Sequence, residues 1–408
     1  MAKTGAKIRQ MSQFPEVIFS ILPAIHPLYS PLYIGFLYLQ SMFFLRSILL
    51  TQFKNYTKQS FRFTEKIIAI CGNNGTGKTN LLDAIHYLCF TKSYFIRSDA
   101  NSVQQGQSGF RIEGSFSLFS KDEKAICILR ETGKKEFSVN EEPYDKFSHH
   151  IGHYPCVIIA PDDAQLIIGG SEERRKFIDS LLSQLDSCYL EKLIAYNKVL
   201  LQRNSLLRSF AETNNKNLSL LDILDRQLIQ AGEYVFNRRK EFLFSFLPVV
   251  KRLYHDIAQQ PEEDVTLFYR SELLQSTFEE LLKAIRQKDI SALRTTSGIH
   301  RDDLEMNLGQ QSFKNIASQG QRKSLLFALK LAEMEVLKKE KGFAPLLLLD
   351  DVFEKLDEGR VANLLQKVCV ENEGQVFITD TDKERLCRHL DVLAVSYQLI
   401  ELGTSLIR

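Results

Sequence analysis

Charge excess is scarce in this chain: 52 Lys and Arg stand against 50 Asp and Glu, a formal net charge of +2 over 408 residues. So small a balance does not point to nucleic acid, and any face that binds DNA has to be a local patch. The seven cysteines include no C-x-x-C pair, which argues against both a zinc ribbon and a disulfide framework. A reducing cytoplasm is the simplest setting. No heptad is sustained along the helical stretches, which argues against a long coiled coil. With 44% hydrophobic and 25% charged residues, the chain is ordinary and globular, with length for roughly two to three domains.

Long apolar runs are also few. Val17 to Leu39 is apolar and aromatic, but Pro23, Pro27 and Pro31 interrupt it at four-residue intervals. Each would break a helix interior, and no small-residue cleavage site follows a clean apolar core. Residues 1–41 are therefore expected to be an extension ahead of the fold, with no membrane role, because a regular strand pattern opens at Met42.

What is present is a phosphate-binding pattern. Gly72-Asn73-Asn74-Gly75-Thr76-Gly77-Lys78-Thr79 matches G-x-x-x-x-G-K-[ST] at every fixed position. The apolar run Lys66 to Cys71 reads as a buried strand before it, and Asn80 to Leu88 carries apolar residues at helical spacing after it. Backbone N–H groups must curl around an anionic phosphate, which glycine permits, and the helix N-terminus adds donors. Lys78 is expected to reach the β/γ-phosphates of ATP, and Thr79 to hold Mg²⁺.

A second half of the site lies far downstream. Pro345 to Asp351 is a proline and four leucines followed by two carboxylates. A buried strand that delivers an acid at its end holds Mg²⁺ opposite a phosphate loop. Asp350 is the expected metal acid, and Asp351 the general base or water-positioning carboxylate. Before it, Ser318 precedes an apolar helix from Leu325 to Leu337, in the stretch Ala317-Ser318-Gln319-Gly320-Gln321-Arg322-Lys323-Ser324. Ser318 suits an N-cap; with Gly320 and Gln321 it could also present an anion site to a γ-phosphate.

Together these residues resemble the ABC-type ATPase heads of the structural-maintenance-of-chromosomes group, and within it the RecF family. The resemblance rests on Leu49 to Tyr56, Gly72 to Asn80, Ala160 to Asp163, Arg174 to Asp179, Gly298 to Leu304, the Ser318 stretch, Leu349 to Asp351 and Leu356-Asp357. It spans residues 42 to about 400. It implies an ATP-dependent homodimer that binds DNA at single-strand/double-strand junctions and works with RecR and RecO in loading recombinase. It also implies that Ser318 meets the other subunit's ATP and that Asp357 is the acid of the D-loop at the dimer seam. Lys54 stands where the family usually has Arg, and no His follows the strand Gln375 to Thr379, so a transporter-like histidine switch has no candidate there.

The expected architecture is α/β, an ABC-type P-loop head with a mixed sheet, flanking helices and an antiparallel β subdomain, split by a mainly helical second lobe. The expected division is residues 42–170 and 291–408 for the two halves of the head and 171–290 for the insertion. Its helical reading comes from apolar spacing between Phe177 and about Phe210, then Leu220 to Tyr234, Phe236 to His255 and Thr277 to Arg286, with a strand at Val265 to Tyr269. Hydrolysis is expected to be weak and switch-like, because Asp351 is one methylene shorter than the glutamate most transporters carry there. The basic clusters at Arg174, Arg238, Lys251 and Arg322 read as solvated helix faces. His149, His150 and His153 have no Cys or acidic helix partner and read as non-metal. The rivals are a transporter's nucleotide-binding subunit and a scaffold with structural ATP.

Overall fold

The computed structural model describes residues 43–213, 217–258, 263–351 and 358–403. The segment 1–41 and Asp357 lie outside them.

Strands β1 (Phe44–Phe53) and β2 (Tyr56–Arg62) pair antiparallel across a two-residue turn, with Lys54 in it at φ 50°. Strand β3 (Ile67–Cys71) is buried along its whole length, as a central parallel strand must be. It feeds the glycine loop and helix α1 (Lys78–Phe90). Strands β4 (Phe110–Leu118), β5 (Lys121–Leu129), β6 (Lys135–Val139) and β7 (Glu142–Pro143) then meander. In β5, Ala125, Cys127 and Leu129 are buried and their neighbours are not, the alternation of a half-covered strand. Strand β8 (Cys156–Ile159) ends this half.

A helical stretch follows: α2 (Ala164–Ile168), α3 (Ser171–Leu185), α4 (Ser187–Thr213) and α5 (Leu218–Ala258). The periodic run from Phe177 to Phe210 is thus two helices. Asp186 separates them in an extended conformation, and its carboxylate accepts from the N–H of Tyr189. Conversely, the two helices expected either side of Tyr234 are one of 41 residues. Its apolar stripe Leu221, Leu224, Leu228, Val235, Leu243, Phe246 and Val250 is buried without interruption, so packing keeps the helix whole even past Pro248.

Strand β9 (Val265–Arg270), helix α6 (Phe278–Ala292), strands β10 (Asp303–Leu308) and β11 (Gln311–Ser312), and helix α7 (Phe313–Ile316) come next. Then α8 (Gln319–Lys341), β12 (Leu346–Leu349), α9 (Glu358–Leu365), β13 (Val376–Asp380), α10 (Lys383–Val392) and β14 (Tyr397–Glu401) alternate helix with strand.

Among the described residues the strands form three sheets. The central one is parallel, in the order β14-β3-β13-β12-β8; a six-stranded antiparallel sheet runs β2-β1-β4-β5-β6-β7, and a small one β11-β10-β9. Helix α1 lies between the first two, burying Leu81, Leu82, Ile85 and Leu88. Gln375 ties them together: its side chain accepts from the N–H of Leu45 at 2.9 Å and donates to the Leu45 carbonyl at 3.2 Å.

Two basic clusters are not solvated faces. Arg174 forks onto Asp303 at 2.6 and 3.0 Å, and Arg239 is buried against Asp179, Asp302 and the Ile299 carbonyl. They fasten helices α3 and α5 to the approach into β10. His150 is buried with Nε2 2.8 Å from the Leu88 carbonyl, His153 pairs with Glu123, and no metal-holding cluster occurs among the described residues.

Candidate nucleotide site

The loop after β3 owes its shape to two left-handed glycines, Gly75 at φ 81° and Gly77 at φ 107°, a region that L side chains rarely adopt. Gly77 is also closely covered. A Cβ there would lie 2.6 Å from the Asn55 amide and 2.8 Å from the Tyr56 hydroxyl. Those side chains, from the β1–β2 turn, donate to the carbonyls of Thr76 (3.1 Å) and Gly77 (3.0 Å). Asn80 in turn donates to Asn55 at 2.8 Å, and Thr76 Oγ1 closes the loop onto the Asn73 carbonyl at 2.8 Å. The hairpin therefore holds the loop by the carbonyls of Thr76 and Gly77.

Helix α1 begins at Gly77 with no side-chain cap and no acid in its first turn. Uncapped donors at the positive end of a helix suit an anion. Lys78 is buried, with Nζ 2.8 Å from the Gly72 carbonyl and 3.3 Å from that of Asn73. Its ammonium thus lies inside the loop. Asn73, Asn74 and Gly75 are exposed at the rim.

Strand β12 brings the downstream acids here because only β13 lies between it and β3 in the parallel sheet. Asp350 follows its last residue and is buried, and Thr79 Oγ1 lies 3.0 and 2.9 Å from its two oxygens. Burial raises the Asp350 carboxyl above its ordinary range; the Thr379 and Thr79 hydroxyls and the charges of Lys78 and Lys54 oppose that shift. Asp351 takes φ 44°, a left-handed conformation that is costly outside glycine and gathers at functional sites. Its N–H donates to Thr379 Oγ1 at 3.0 Å, and the same hydroxyl donates to Asp350 at 2.9 Å. Thr379 on β13 thus links the two acids.

A hydroxyl and a carboxylate side by side form a hard oxygen donor set. Mg²⁺ is held by one or two such protein groups, with water and substrate phosphates completing its shell. Thr79 and Asp350 fit it.

The Ser318 group is elsewhere. Ser318 caps α8: its hydroxyl accepts from the N–H of Gln321 at 3.2 Å, and the Gln321 side chain accepts from the N–H of Ser318 at 2.8 Å. Gln321 also donates to Glu263 at 2.9 Å, which occupies a side chain expected to meet nucleotide. Gly320 lies beside Arg360, and Ser318 is exposed. Among the described residues none of these partners belongs to the glycine loop or to Asp350. Lys54 pairs at 2.6 Å with Asp83, a buried residue of α1.

Sequence reasoning missed Asn55, Tyr56 and Thr379. The first two carry no phosphate-binding pattern of their own. A lone Thr in an apolar strand looks like any β-branched residue, and only the sheet order puts it beside Asp350.

The chain is similar to known proteins along most of its length. A family model described as RecF/RecN/SMC N terminal domain matches residues 44–152. The DNA replication and repair protein RecF of Flavobacterium johnsoniae is 44% identical over 341 residues, which cover 84% of this chain and 95% of that protein. Structures of the recombination mediator protein RecF of the RecFOR pathway, in ATPrS and ATP forms, match with TM-scores of 0.77 and 0.76 at 29% and 30% identity. They cover 84% of this chain and 94% and 93% of theirs. The Smc head domain of Pyrococcus furiosus, bound to the C-terminal domain of ScpA, matches at TM-score 0.50 and 16% identity over 85% of this chain and 92% of that one. That last likeness is one of fold alone.

Proposed function

Because the chain belongs to the RecF family and has the ATPase-head fold of that group, we propose that it is an ATP-dependent DNA-binding protein of replication and recombinational repair. It binds ATP with Mg²⁺ at the glycine loop, forms a homodimer, and engages DNA at single-strand/double-strand junctions, where with RecR and RecO it helps load recombinase. The observation that carries this reading is the meeting of Thr79 with Asp350 beside an uncapped helix N-terminus.

The residues divide the work. The N–H groups from Gly75 to Thr79 cradle the phosphates. Lys78 exchanges its loop carbonyls for the β/γ-phosphate oxygens, and Thr79 with Asp350 would hold Mg²⁺, which when bound neutralises phosphate charge. Asp351 orients and deprotonates the attacking water. Ser318, with Gly320 near it, faces the ATP of the second subunit, and Asp357 lines the seam.

A transporter subunit is the weaker reading, since the relatives that match along most of the chain are DNA replication and repair proteins. The test is gel filtration with and without ATP, followed by phosphate release and binding to gapped and blunt duplexes. Wild-type chain should dimerise with ATP, prefer gapped DNA and bind it less tightly as salt rises. Lys78→Met should lose ATP binding or hydrolysis while unfolding at the same denaturant concentration. Dimerisation and DNA binding indifferent to ATP would refute the reading.

A further inference from the structure

A groove of about 850 Å³, lined by no residue of the nucleotide loop, runs between helix α5 and strand β9. Its walls are Leu243, Phe244 and Leu247 from the helix, Leu267 and Phe268 from the strand, and Leu274 at one end. Phe244 is 86% exposed, the most exposed large apolar side chain among the described residues. Phe268 and Leu274 are exposed beside it. An apolar face of this kind on an otherwise polar surface marks an interaction site.

The backbone is as informative as the side chains. Strand β9 is the outer strand of its sheet and pairs on one side only, with β10. Every second residue of an edge strand turns its N–H and C=O away from its partner, a template for another strand. Nothing among the described residues pairs with that free side. A groove bounded by an open strand edge and a helix is the geometry in which an extended peptide adds to a sheet and drops alternate side chains against the helix.

We propose that this groove receives an extended segment of a partner protein, bound as a fourth strand beside β9, with alternating apolar side chains and acidic residues at its ends. The acidic requirement comes from the rim. Lys240 and Lys251 lie eleven residues apart on α5 and both border the groove. Eleven residues of helix span about 16 Å, the length of about five residues of strand. One ammonium therefore sits near each end of a five-residue insert. Lys240 has no carboxylate partner among the described residues. Lys251 meets Asp264 at 3.3 Å with both groups about half exposed or more, a surface pair of little strength. Glu241, also at the rim, is engaged by Arg238 at 3.3 Å.

The test uses the full chain and a phage-displayed library of random ten-residue peptides. Selected peptides should carry apolar residues at every second position with Asp or Glu flanking them, and should slow amide exchange along residues 265–270. Phe244→Asp, at an exposed site where folding is not at stake, should weaken them at least tenfold. Lys240→Glu with Lys251→Glu should reverse the preference toward Lys-flanked peptides. A selected set without alternation, equal binding to Phe244→Asp, or unchanged exchange in β9 would each overturn the proposal. So would loss of self-association in Phe244→Asp, which would make a second copy the occupant. Exposure of the groove only after deletion of residues 1–42 would likewise overturn it by making the chain's own start the occupant.

Discussion

Thr79 Oγ1 lies 3.0 and 2.9 Å from the carboxylate oxygens of Asp350, although 271 residues separate the two. The contact exists because β3 and β12 are both next to β13 in the parallel sheet. Parallel strands end on the same side, so the loop after β3 and the acid after β12 open into one crevice, the usual ligand place in such sheets. The intervening strand supplies Thr379, whose hydroxyl accepts from the N–H of Asp351 and donates to Asp350.

Replacing that hydroxyl tests whether it positions the acids. Thr379→Val keeps the shape but takes the acceptor from the Asp351 N–H, at a cost of about 1–3 kcal/mol, and leaves the Asp350 oxygens to Thr79 alone. ATP hydrolysis should fall at least tenfold and demand more Mg²⁺ for half-maximal rate, while nucleotide binding without metal stays unchanged. Thr379→Ser should restore both. Equal Mg²⁺ dependence in Thr379→Val and wild type would reduce Thr379 to a packing residue.

The glycine loop, the acidic strand and the cap at Ser318 were legible because their chemistry is local: glycine φ, an apolar run ending in acids, a hydroxyl before a helix. The partners of these residues were not, since Asn55, Tyr56 and Thr379 arrive through strand pairing that no short pattern encodes. Helix boundaries failed for a related reason. Nothing in the apolar spacing distinguishes the break at Asp186 from the continuity at Val235: a local cap, Asp186 accepting from the Tyr189 N–H, makes the first, and the buried stripe of α5 makes the second. Two of the basic clusters misled, those of Arg174 and Arg239, because a run of like charges looks solvated until its acids arrive from elsewhere in the chain.

Arg239 shows how much such a misread charge matters. It is fully buried and held by Asp179, Asp302 and the Ile299 carbonyl. Arg239→Met removes one partner of a buried network and leaves two carboxylates uncompensated, so unfolding free energy should drop by about 3–5 kcal/mol. Urea denaturation measures it. A loss under about 1 kcal/mol would mean that water already screens the cluster.

Stability should also fall in mild acid. Burial holds His86, His150 and His300 down to about 4 from the usual 6.5; the Nε2 of His150 is 2.8 Å from the Leu88 carbonyl. The unfolded chain takes up these protons near pH 6.5 and the folded one only near 4, so this stability is present above about 6.5 and lost as pH falls toward 4. Glu333 works the other way. Burial lifts it to about 7, so the folded chain holds one proton that the unfolded chain lacks until about 4.5. Three protons against one leave a net of two, a slope of at most about 2.7 kcal/mol per pH unit. Urea midpoints should drop between pH 6.5 and 4.5, less steeply in His150→Gln. A flat profile over that window would contradict the burial argument.

The placement of Ser318 sets the last expectation. In its own chain it caps α8 and bonds to Gln321, away from the loop that holds Lys78. If it faces the ATP of a second subunit, each site of the dimer is composite, and Lys78→Met and Ser318→Arg should each inactivate the homodimer. Mixing the two variants makes heterodimers with one site damaged twice and the other intact. The intact site takes Lys78 from the Ser318→Arg chain and Ser318 from the Lys78→Met chain. Hydrolysis should therefore return on mixing and rise with the heterodimer fraction, to at most about half of wild type per heterodimer if the sites act independently. If Ser318 served its own chain's ATP, both sites of every heterodimer would stay dead. Dimerisation of the mixture is measured alongside, because strong coupling between sites could hide the rescue. A mixture that dimerises with ATP yet recovers no hydrolysis would count against the composite site.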